Sequence, residues 1–265
     1  MSLGKSVTSN LTLLCPEGIV VAADMRETKI FPDWMKMKPE TTDGVQKIYP
    51  LTKNIKVAIS CWGVAEVTID ETEKKNIISY LAEFEKSKLQ TGCTVDTVAA
   101  ELKASLESLT HPIVGRMGFH IVGYKDNGAS NKPQLRHVFQ TDWHAPGKFT
   151  NEDCHVEYHD EFGNRVEYRI KREYPTLFNG DSLVANALFN YAPLIQPYYG
   201  ILPHQLHLSE CEELAKLIIG TSIERLDYFF DLRKFEKMKK SVGGGISMGR
   251  ITEHKGFEPI SQQGK

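Results

Sequence analysis

Hydrophobic and polar positions in the first part of the chain predict short strands joined by tight turns. Residues 6–15 alternate weakly, Pro16-Glu17-Gly18 turns the chain, and residues 18–23 form a continuous apolar run. An alternating run, a turn and an apolar run in this order predict a hairpin whose second strand is buried on both faces. Two more strands are predicted at 45–50 and 55–61, on either side of a polar turn.

Apolar residues at steps of three and four positions predict helices in the remainder of the chain. The predicted helices lie within 64–88, 94–109 and 181–192 and from 209 onward. The other predicted strands lie at 118–124, 134–140, 246–252 and 256–259, with a polar hairpin within 155–172. Strands, helices, strands, helices and strands in this order indicate an α+β fold with sheets packed on each other and helices outside.

Composition and charge narrow the classes of function. The chain has 265 residues, of which 41% are apolar and 25% charged, and this suits one large globular domain or two small ones. Because no linker clean enough to divide the chain is present, we predict one domain spanning 1–265. The net charge of −2 gives no electrostatic case for nucleic acid or an anionic membrane surface. No apolar run approaches the roughly 18 residues that a membrane-spanning helix needs.

Cysteine usage favours a reducing compartment. The five cysteines are odd in number, widely spaced and without a C-x-x-C motif, so neither a disulfide framework nor a zinc site is predicted. Cys15 and Cys61 lie in apolar runs and are predicted to be buried thiols. We therefore expect a cytoplasmic protein.

Short motifs follow one another along the chain in a fixed order. They are Gly18-Ile19-Val20-Val21-Ala22-Ala23-Asp24-x-Arg26-x-Thr28, Lys47-Ile48-Tyr49-Pro50, Ser60-Cys61-Trp62-Gly63-Val64-Ala65-Glu66, Phe119-His120-Ile121-Val122-Gly123-Tyr124, Asn179-Gly180-Asp181 and Val242-Gly243-Gly244-Gly245-Ile246-Ser247. Each is weak alone, but together they cover nearly the whole chain and resemble the motifs of proteasome β-type subunits. The resemblance implies the four-layer αββα sandwich of the N-terminal-nucleophile hydrolases.

The resemblance also implies a catalytic set. Counting back from Asp24, the family's mature N-terminal threonine falls on Thr8, which becomes the nucleophile once residues 1–7 are removed. Its own α-amine is the base, since a model α-amine titrates at about 8. Lys47 would lower that pKa by its charge, and Asp24 would hold Lys47 charged and oriented. Backbone N–H groups from Cys61 to Gly63 would bind the oxyanion.

The chain departs from the family pattern at positions that catalytic subunits use for this chemistry. Catalytic subunits carry an Asp three residues before the closing Ser-Gly-Gly, where this chain has Lys239, and the Ser position is Val242. The residue before the candidate nucleophile is Val7 instead of glycine. Segments 29–43 and 125–175 are longer than the pattern and are predicted to be loop or hairpin insertions.

Two weaker signals have simpler interpretations. The Gly243-Gly244-Gly245 run precedes a predicted strand and not a helix, so we interpret it as a tight connection and not as a phosphate-binding loop. His155 and His159, with Cys154 and Asp160, suggest a metal, but residues four apart on a strand lie about 13 Å from each other. We interpret them as polar residues of an exposed hairpin, so no metal is predicted.

Three functions stay open. The first is a hydrolase that uses Thr8, needs no cofactor and acts on a peptide or small amide. The second is a non-catalytic, unprocessed ring or assembly subunit in which Asp24 and Lys47 are only a buried ion pair between strands. The third is an amidase for a small metabolite that uses the same residues, with segment 127–174 closing its pocket. Family members build rings, so the resemblance implies a homo-oligomer.

Overall fold

Alternating and apolar runs become strands throughout the described part of the chain. The computed structural model describes residues 9–29, 40–63, 66–69, 73–111, 113, 116–124, 132–140, 145–158, 169–171, 176–180, 184–185, 205–231 and 242–260. Its helices are α1 Ile77–Lys88, α2 Val95–Glu107 and α3 Leu208–Asp231. Its strands are β1 Ser9–Cys15, β2 Gly18–Asp24, β3 Arg26–Lys29, β4 Glu40–Asp43, β5 Ile48–Pro50, β6 Val57–Gly63, β7 Glu66–Thr68, β8 Lys74–Asn76, β9 Met117–Tyr124, β10 Pro133–Gln140, β11 Thr150–Asp153, β12 Val156–Tyr158, β13 Arg169–Lys171, β14 Thr176–Gly180, β15 Ile246–Thr252 and β16 Gly256–Pro259.

Two five-stranded sheets organise these elements. The first sheet has the order β14-β1-β2-β15-β16 and the second sheet the order β11-β10-β9-β6-β5. Three two-stranded ribbons, β3-β4, β7-β8 and β12-β13, lie outside them. All strand pairs within the described ranges are antiparallel. The protein is therefore an α+β protein built on antiparallel sheets, as the element order predicted.

Side-chain alternation along the strands divides the core into three apolar clusters. One cluster contains residues of both sheets, among them Leu14 and Val21 of the first sheet and Ala58 and Val122 of the second. A second cluster joins the other face of β1 and β2 to α3, and a third joins the other face of the second sheet to α1 and α2. The two sheets thus pack against each other, and each also packs against helices.

The N-terminal hairpin and α2 form as predicted. β1 and β2 pair from Asn10↔Ala23 to Cys15↔Gly18, and both strands are buried along their whole length. The hydroxyl oxygen of Thr94 caps α2 by accepting a hydrogen bond from the backbone N–H of Thr97 at 3.2 Å. The polar hairpin predicted within 155–172 corresponds to the β12-β13 ribbon.

One helix boundary was wrong. The helix predicted within 64–88 begins only at Ile77, because the side chain of Asn76 caps it by accepting from Ser79 N at 2.8 Å. Upstream, Val67 lies in the β7-β8 ribbon and is fully buried in the cluster around α1. Val67, which the apolar spacing assigned to the helix, therefore packs into the same core as a strand residue.

Parts of other predictions lie beyond the described residues. Of the predicted 29–43 excursion, the ends form the β3-β4 ribbon, in which Arg26 pairs with Asp43. The helix predicted at 181–192 falls outside the described ranges apart from 184–185. None of the helices in the described part of the chain combines the length and apolarity needed to cross a lipid bilayer.

Candidate functional site

A buried ion pair lies where β2 of the first sheet ends and β5 of the second sheet is about to begin. The Nζ atom of Lys47 is 2.9 Å from Oδ1 of Asp24, and the two side chains are 5% and 0% exposed. The apolar run of β2 buries its last residue, Asp24, while Lys47 directly precedes β5. The pair therefore joins the two sheets at one end, as a charge-assisted hydrogen bond between the two predicted residues.

The Asp24 carboxylate is saturated with donors. Oδ1 accepts from Ser9 N at 2.8 Å as well as from Lys47, and Oδ2 accepts from Gly243 N at 3.1 Å and Arg26 N at 3.2 Å. Burial raises the pKa of Asp24, and Lys47 and the backbone N–H groups act in the opposite direction. Because all four partners are N–H donors, the geometry is that of an ionised carboxylate.

Glycines bring the backbone of the closing motif onto Asp24. The Met25 N–H donates to the carbonyls of both Gly243 and Gly245 at 3.0 Å. Gly244 has φ +71°, and a Cβ there would lie 2.8 Å from the carbonyl oxygen of Met25. The run leads directly into β15, so the interpretation as a tight connection is confirmed, and its glycines allow the close approach to Asp24.

Lys47 is held from three directions. Besides Asp24, its Nζ atom donates to the backbone carbonyl of Arg26 at 2.6 Å. Its own carbonyl accepts from Cys61 N at 2.9 Å and from the Cys61 thiol at 3.5 Å. Arg26 in turn forms a two-point ion pair with Asp43, from Nε at 2.6 Å and Nη2 at 2.9 Å. The ammonium group is thus fixed in position by neighbouring strands.

The oxyanion expectation needs a correction at Cys61. Its backbone N–H is already donated to Lys47, so it cannot stabilise an oxyanion in this arrangement. Burial also raises the pKa of the Cys61 thiol to about 12, which makes it a poor nucleophile. Gly63 lies at the end of β6 with φ +88°, and a Cβ there would lie 2.1 Å from the carbonyl of Arg116. Close contact with the chain before β9 therefore requires glycine at this position.

Thr8, the predicted nucleophile, lies outside the described residues, and so does Lys239. The first described residue is Ser9, and its nitrogen belongs to the Thr8–Ser9 peptide bond. That nitrogen is one of the donors to Asp24. The structure therefore brings together Asp24, Lys47 and the residue that follows the candidate nucleophile.

A second polar group, which the sequence did not indicate, is buried between the sheets. The hydroxyl of Thr12 lies 2.9 Å from Nδ1 of His120, and Nε2 of His120 lies 2.7 Å from Oδ1 of Asn179. Since Oδ1 only accepts, Nε2 carries the proton and the Thr12 hydroxyl donates to Nδ1. The indole N–H of Trp62 donates to Nε2 of His137 at 3.2 Å, and the two imidazoles meet edge to face. We call these five residues the histidine cluster.

Burial keeps the histidine cluster neutral. It lowers the pKa of His120 to about 4 and that of His137 well below its ordinary value. Next to the cluster, the side chains of Asn10 and Ser60 are at most 1% exposed and find no hydrogen-bond partner among the described residues. Asn10 pairs with Asn179 and Ser60 with His120 across neighbouring strands. In native proteins, buried water commonly satisfies such groups.

Neither the Asp24–Lys47 ion pair nor the histidine cluster supplies a set of metal ligands. Within the described ranges, no group of three or more His, Cys, Asp or Glu side chains could hold a metal ion. His155 lies in this part of the chain, whereas His159 falls outside it. The described chemistry is therefore an ion pair with backbone donors and a neutral hydrogen-bonded cluster.

No protein-family model matches the chain, and no curated protein sequence matches it either. Its likeness to proteasome β-type subunits consequently rests on the short motifs quoted above.

Proposed function

We propose that this protein is a proteasome-like N-terminal-nucleophile hydrolase that cleaves amide or peptide bonds with Thr8 after residues 1–7 are removed. The observation that carries the proposal is the contact of one carboxylate oxygen, Oδ1 of Asp24, with both Lys47 Nζ and Ser9 N. The lysine charge is thereby held beside the peptide bond that Thr8 forms with Ser9.

Three features support this chemistry. An ammonium group next to a chain terminus lowers the pKa of its α-amine, so more of the amine is neutral and able to act as a base. The carboxylate of Asp24 keeps Lys47 charged in a buried setting. The ion pair is further held by backbone groups of Arg26 and Gly243, so it needs no rearrangement to act.

The packing of the two sheets supports the finer fold assignment. One apolar cluster between the sheets and one on each outer face, against α3 and against α1 with α2, are what a four-layer αββα sandwich requires. We infer this arrangement for the whole chain. The resemblance also leads us to propose a homo-oligomeric ring, for which native mass spectrometry is the direct test.

A non-catalytic ring or assembly subunit is the second candidate. It is favoured by the saturation of Asp24, because a carboxylate with four donors serves equally well as a fixed connection between two sheets. It is also favoured by Lys239 at the position of the family's second acid. In that case Thr8 stays within the chain, and its nitrogen is an amide that cannot act as a base.

Activity assays on matched variants separate these functions. Purified protein is tested against a panel of fluorogenic peptides and small amides, together with Thr8→Ala and Thr8→Ser. Thr41→Ala is the control, since Thr41 is an exposed threonine of β4. We expect hydrolysis that Thr8→Ala abolishes and Thr41→Ala leaves unchanged. Hydrolysis of small amides without peptides would indicate the metabolite amidase, and equal activity of both alanine variants would contradict a role for Thr8.

A further inference from the structure

The space between the two sheets is apolar at one end and polar at the other. The apolar end holds the cluster that contains Leu14 and Ile19 of the first sheet and Ala58 and Val122 of the second. Residues directly opposite each other on paired strands share a face of the sheet. By this rule the strand register of the first sheet gives one row at the polar end, which in strand order is Asn179, Asn10, Ala23 and Ser247.

A second polar row lies opposite, in the second sheet. In strand order its residues are Ile48, Ser60, His120 and His137. The two rows face each other, because Nε2 of His120 lies 2.7 Å from Oδ1 of Asn179 across the space between the sheets. Asn10 is the neighbour of Asn179 in the first row, and Ser60 is the neighbour of His120 in the second. Asn10 and Ser60 therefore lie in facing rows, on either side of a contact that joins the sheets.

Two members of these rows, Asn10 and Ser60, have buried polar groups without a hydrogen bond to any described residue. Asn10 is 1% exposed and Ser60 is fully buried, and the unpaired atoms are Nδ2 and Oδ1 of Asn10 and Oγ of Ser60. The amide offers two N–H donors and a carbonyl oxygen, and the hydroxyl both donates and accepts. Burying such groups without hydrogen bonds is costly, and native proteins rarely do so.

The surroundings of these groups select a small neutral molecule. Both rows lack Asp, Glu, Lys and Arg, and burial keeps His120 and His137 neutral. An ion between the rows would therefore lose its hydration without gaining a counter-charge. A water molecule both donates and accepts, as the amide and the hydroxyl require. The neighbour of Asn10 on β2 is Ala23, whose single methyl group takes up little of the space between the sheets.

We propose that Asn10 and Ser60 bind internal water between the two sheets, beside the histidine cluster. The water accepts from the amide N–H groups of Asn10 and donates to its carbonyl oxygen and to the hydroxyl oxygen of Ser60. It satisfies polar groups that the protein chain places in facing rows, and it connects the sheets by hydrogen bonds where their apolar packing ends.

The proposed water links the two strands that hold the ion pair. Asn10 directly follows Ser9, whose N–H donates to Asp24. On β6, Ser60 directly precedes the residue whose N–H donates to the carbonyl of Lys47. Water held by both side chains therefore fixes β1 against β6 next to the candidate site. This role is the same with or without the proposed hydrolase activity.

A high-resolution crystal structure of the full-length protein tests the site directly. We expect electron density for water within about 3.2 Å of an amide atom of Asn10 and of the hydroxyl oxygen of Ser60. Hydrogen bonds from these side chains to protein groups in place of water would overturn the proposal. So would an absence of density beside them, or density for a molecule larger than water.

Oxygen-17 magnetic relaxation dispersion tests the site in solution, because it counts the water molecules that stay in the protein long enough to tumble with it. Asn10→Leu replaces the amide with an apolar group of similar size and should lower that count by at least one. Gln90→Leu removes an exposed amide, so it is the matched control and should keep the wild-type count. Equal counts in the wild type and Asn10→Leu would contradict the water site.

Discussion

The ion pair and the histidine cluster are two buried polar regions that share strand β1 and differ in how their polar groups are satisfied. At the ion pair, β1 contributes the backbone N–H of Ser9, and four donors surround one carboxylate. In the histidine cluster, β1 contributes the side chain of Thr12, and all the groups are neutral. A charged pair is therefore buried where backbone N–H groups are fixed around it, whereas the histidine cluster, which has no such set of backbone donors among the described residues, is neutral.

The two regions differ in how completely their buried polar groups are hydrogen-bonded. Backbone donors from β1, β3 and the Gly243 connection converge on Asp24, whereas Asn10 and Ser60 beside the cluster lack partners within the described residues. An isolated buried charge is far more costly than an unpaired amide or hydroxyl. We therefore expect the ion pair to resist substitution more strongly than the cluster does.

The largest effect is predicted for Lys47→Met. This change leaves the Asp24 carboxylate buried without its counter-charge and should lower the free energy of unfolding by about 3–5 kcal/mol. Chemical denaturation at pH 7 measures it. The control is Lys75→Met, because the carboxylate partners of Lys75, Glu73 and Glu83, are exposed, and such pairs contribute about 1 kcal/mol or less. Equal losses of unfolding free energy in the two variants would contradict the claim that the buried Asp24–Lys47 pair stabilises the fold more than an exposed pair does.

The next effect is a pH dependence from His120. Its pKa in the folded protein is about 4, below the ordinary value of 6.5, so the unfolded chain binds the proton first as the pH falls. The contribution of neutral His120 to the free energy of unfolding is fully present above pH 6.5, and it is lost as the pH falls from 6.5 to about 4. At about 1.4 kcal/mol per pKa unit, the loss is about 3 kcal/mol.

Denaturation of the wild type and of His120→Gln at pH 7 and pH 4 measures this contribution together with the charge coupling of His120 to His137, because the remaining titrating groups are common to both proteins. The exposed His254→Gln is the control and should keep the wild-type pH dependence. If His120→Gln loses as much stability as the wild type between the two pH values, His120 is not held neutral.

A smaller effect distinguishes partnered from unpartnered hydroxyls in the same region. Thr12→Val removes the donor to Nδ1 of His120 and leaves a buried acceptor unsatisfied, which costs about 1–3 kcal/mol. Ser60→Ala removes a hydroxyl that has no partner in the described residues and should change the free energy of unfolding by less than about 1 kcal/mol. Denaturant midpoints compare the two variants, and a reversed order would show that Ser60 has a strong partner.

Sequence patterns predicted the parts of the fold that depend on local signals. The N-terminal hairpin follows from a turn between an alternating run and an apolar run, and α2 follows from its cap and apolar spacing. The contact of Asp24 with Lys47 was predicted from the motifs, and the burial of Cys15 and Cys61 from their apolar surroundings. The catalytic assignment of Thr8 stays a prediction.

What the sequence did not indicate depends on long-range contacts. Thr12 and Asn179 meet His120 from 108 and 59 residues away, and no local pattern marks such a meeting. The local hints of buried polar contacts were single polar residues within largely apolar strands, Thr12 in β1 and His120 in β9. Likewise, Cys15 and Cys211 share one apolar cluster because α3 packs on the first sheet, and Cys61 donates its N–H to Lys47 because β6 pairs with β5.

The most direct test of the proposed function is the N-terminus of the protein purified from its own source, read by intact mass and N-terminal sequencing. We predict a chain that begins at Thr8, because cleavage before Thr8 is what gives the nucleophile its amine base. Thr8→Ala, produced in parallel with the wild type, should retain residues 1–7. A wild-type chain that keeps the residues before Thr8 would contradict the hydrolase and leave the structural subunit as the function of this fold.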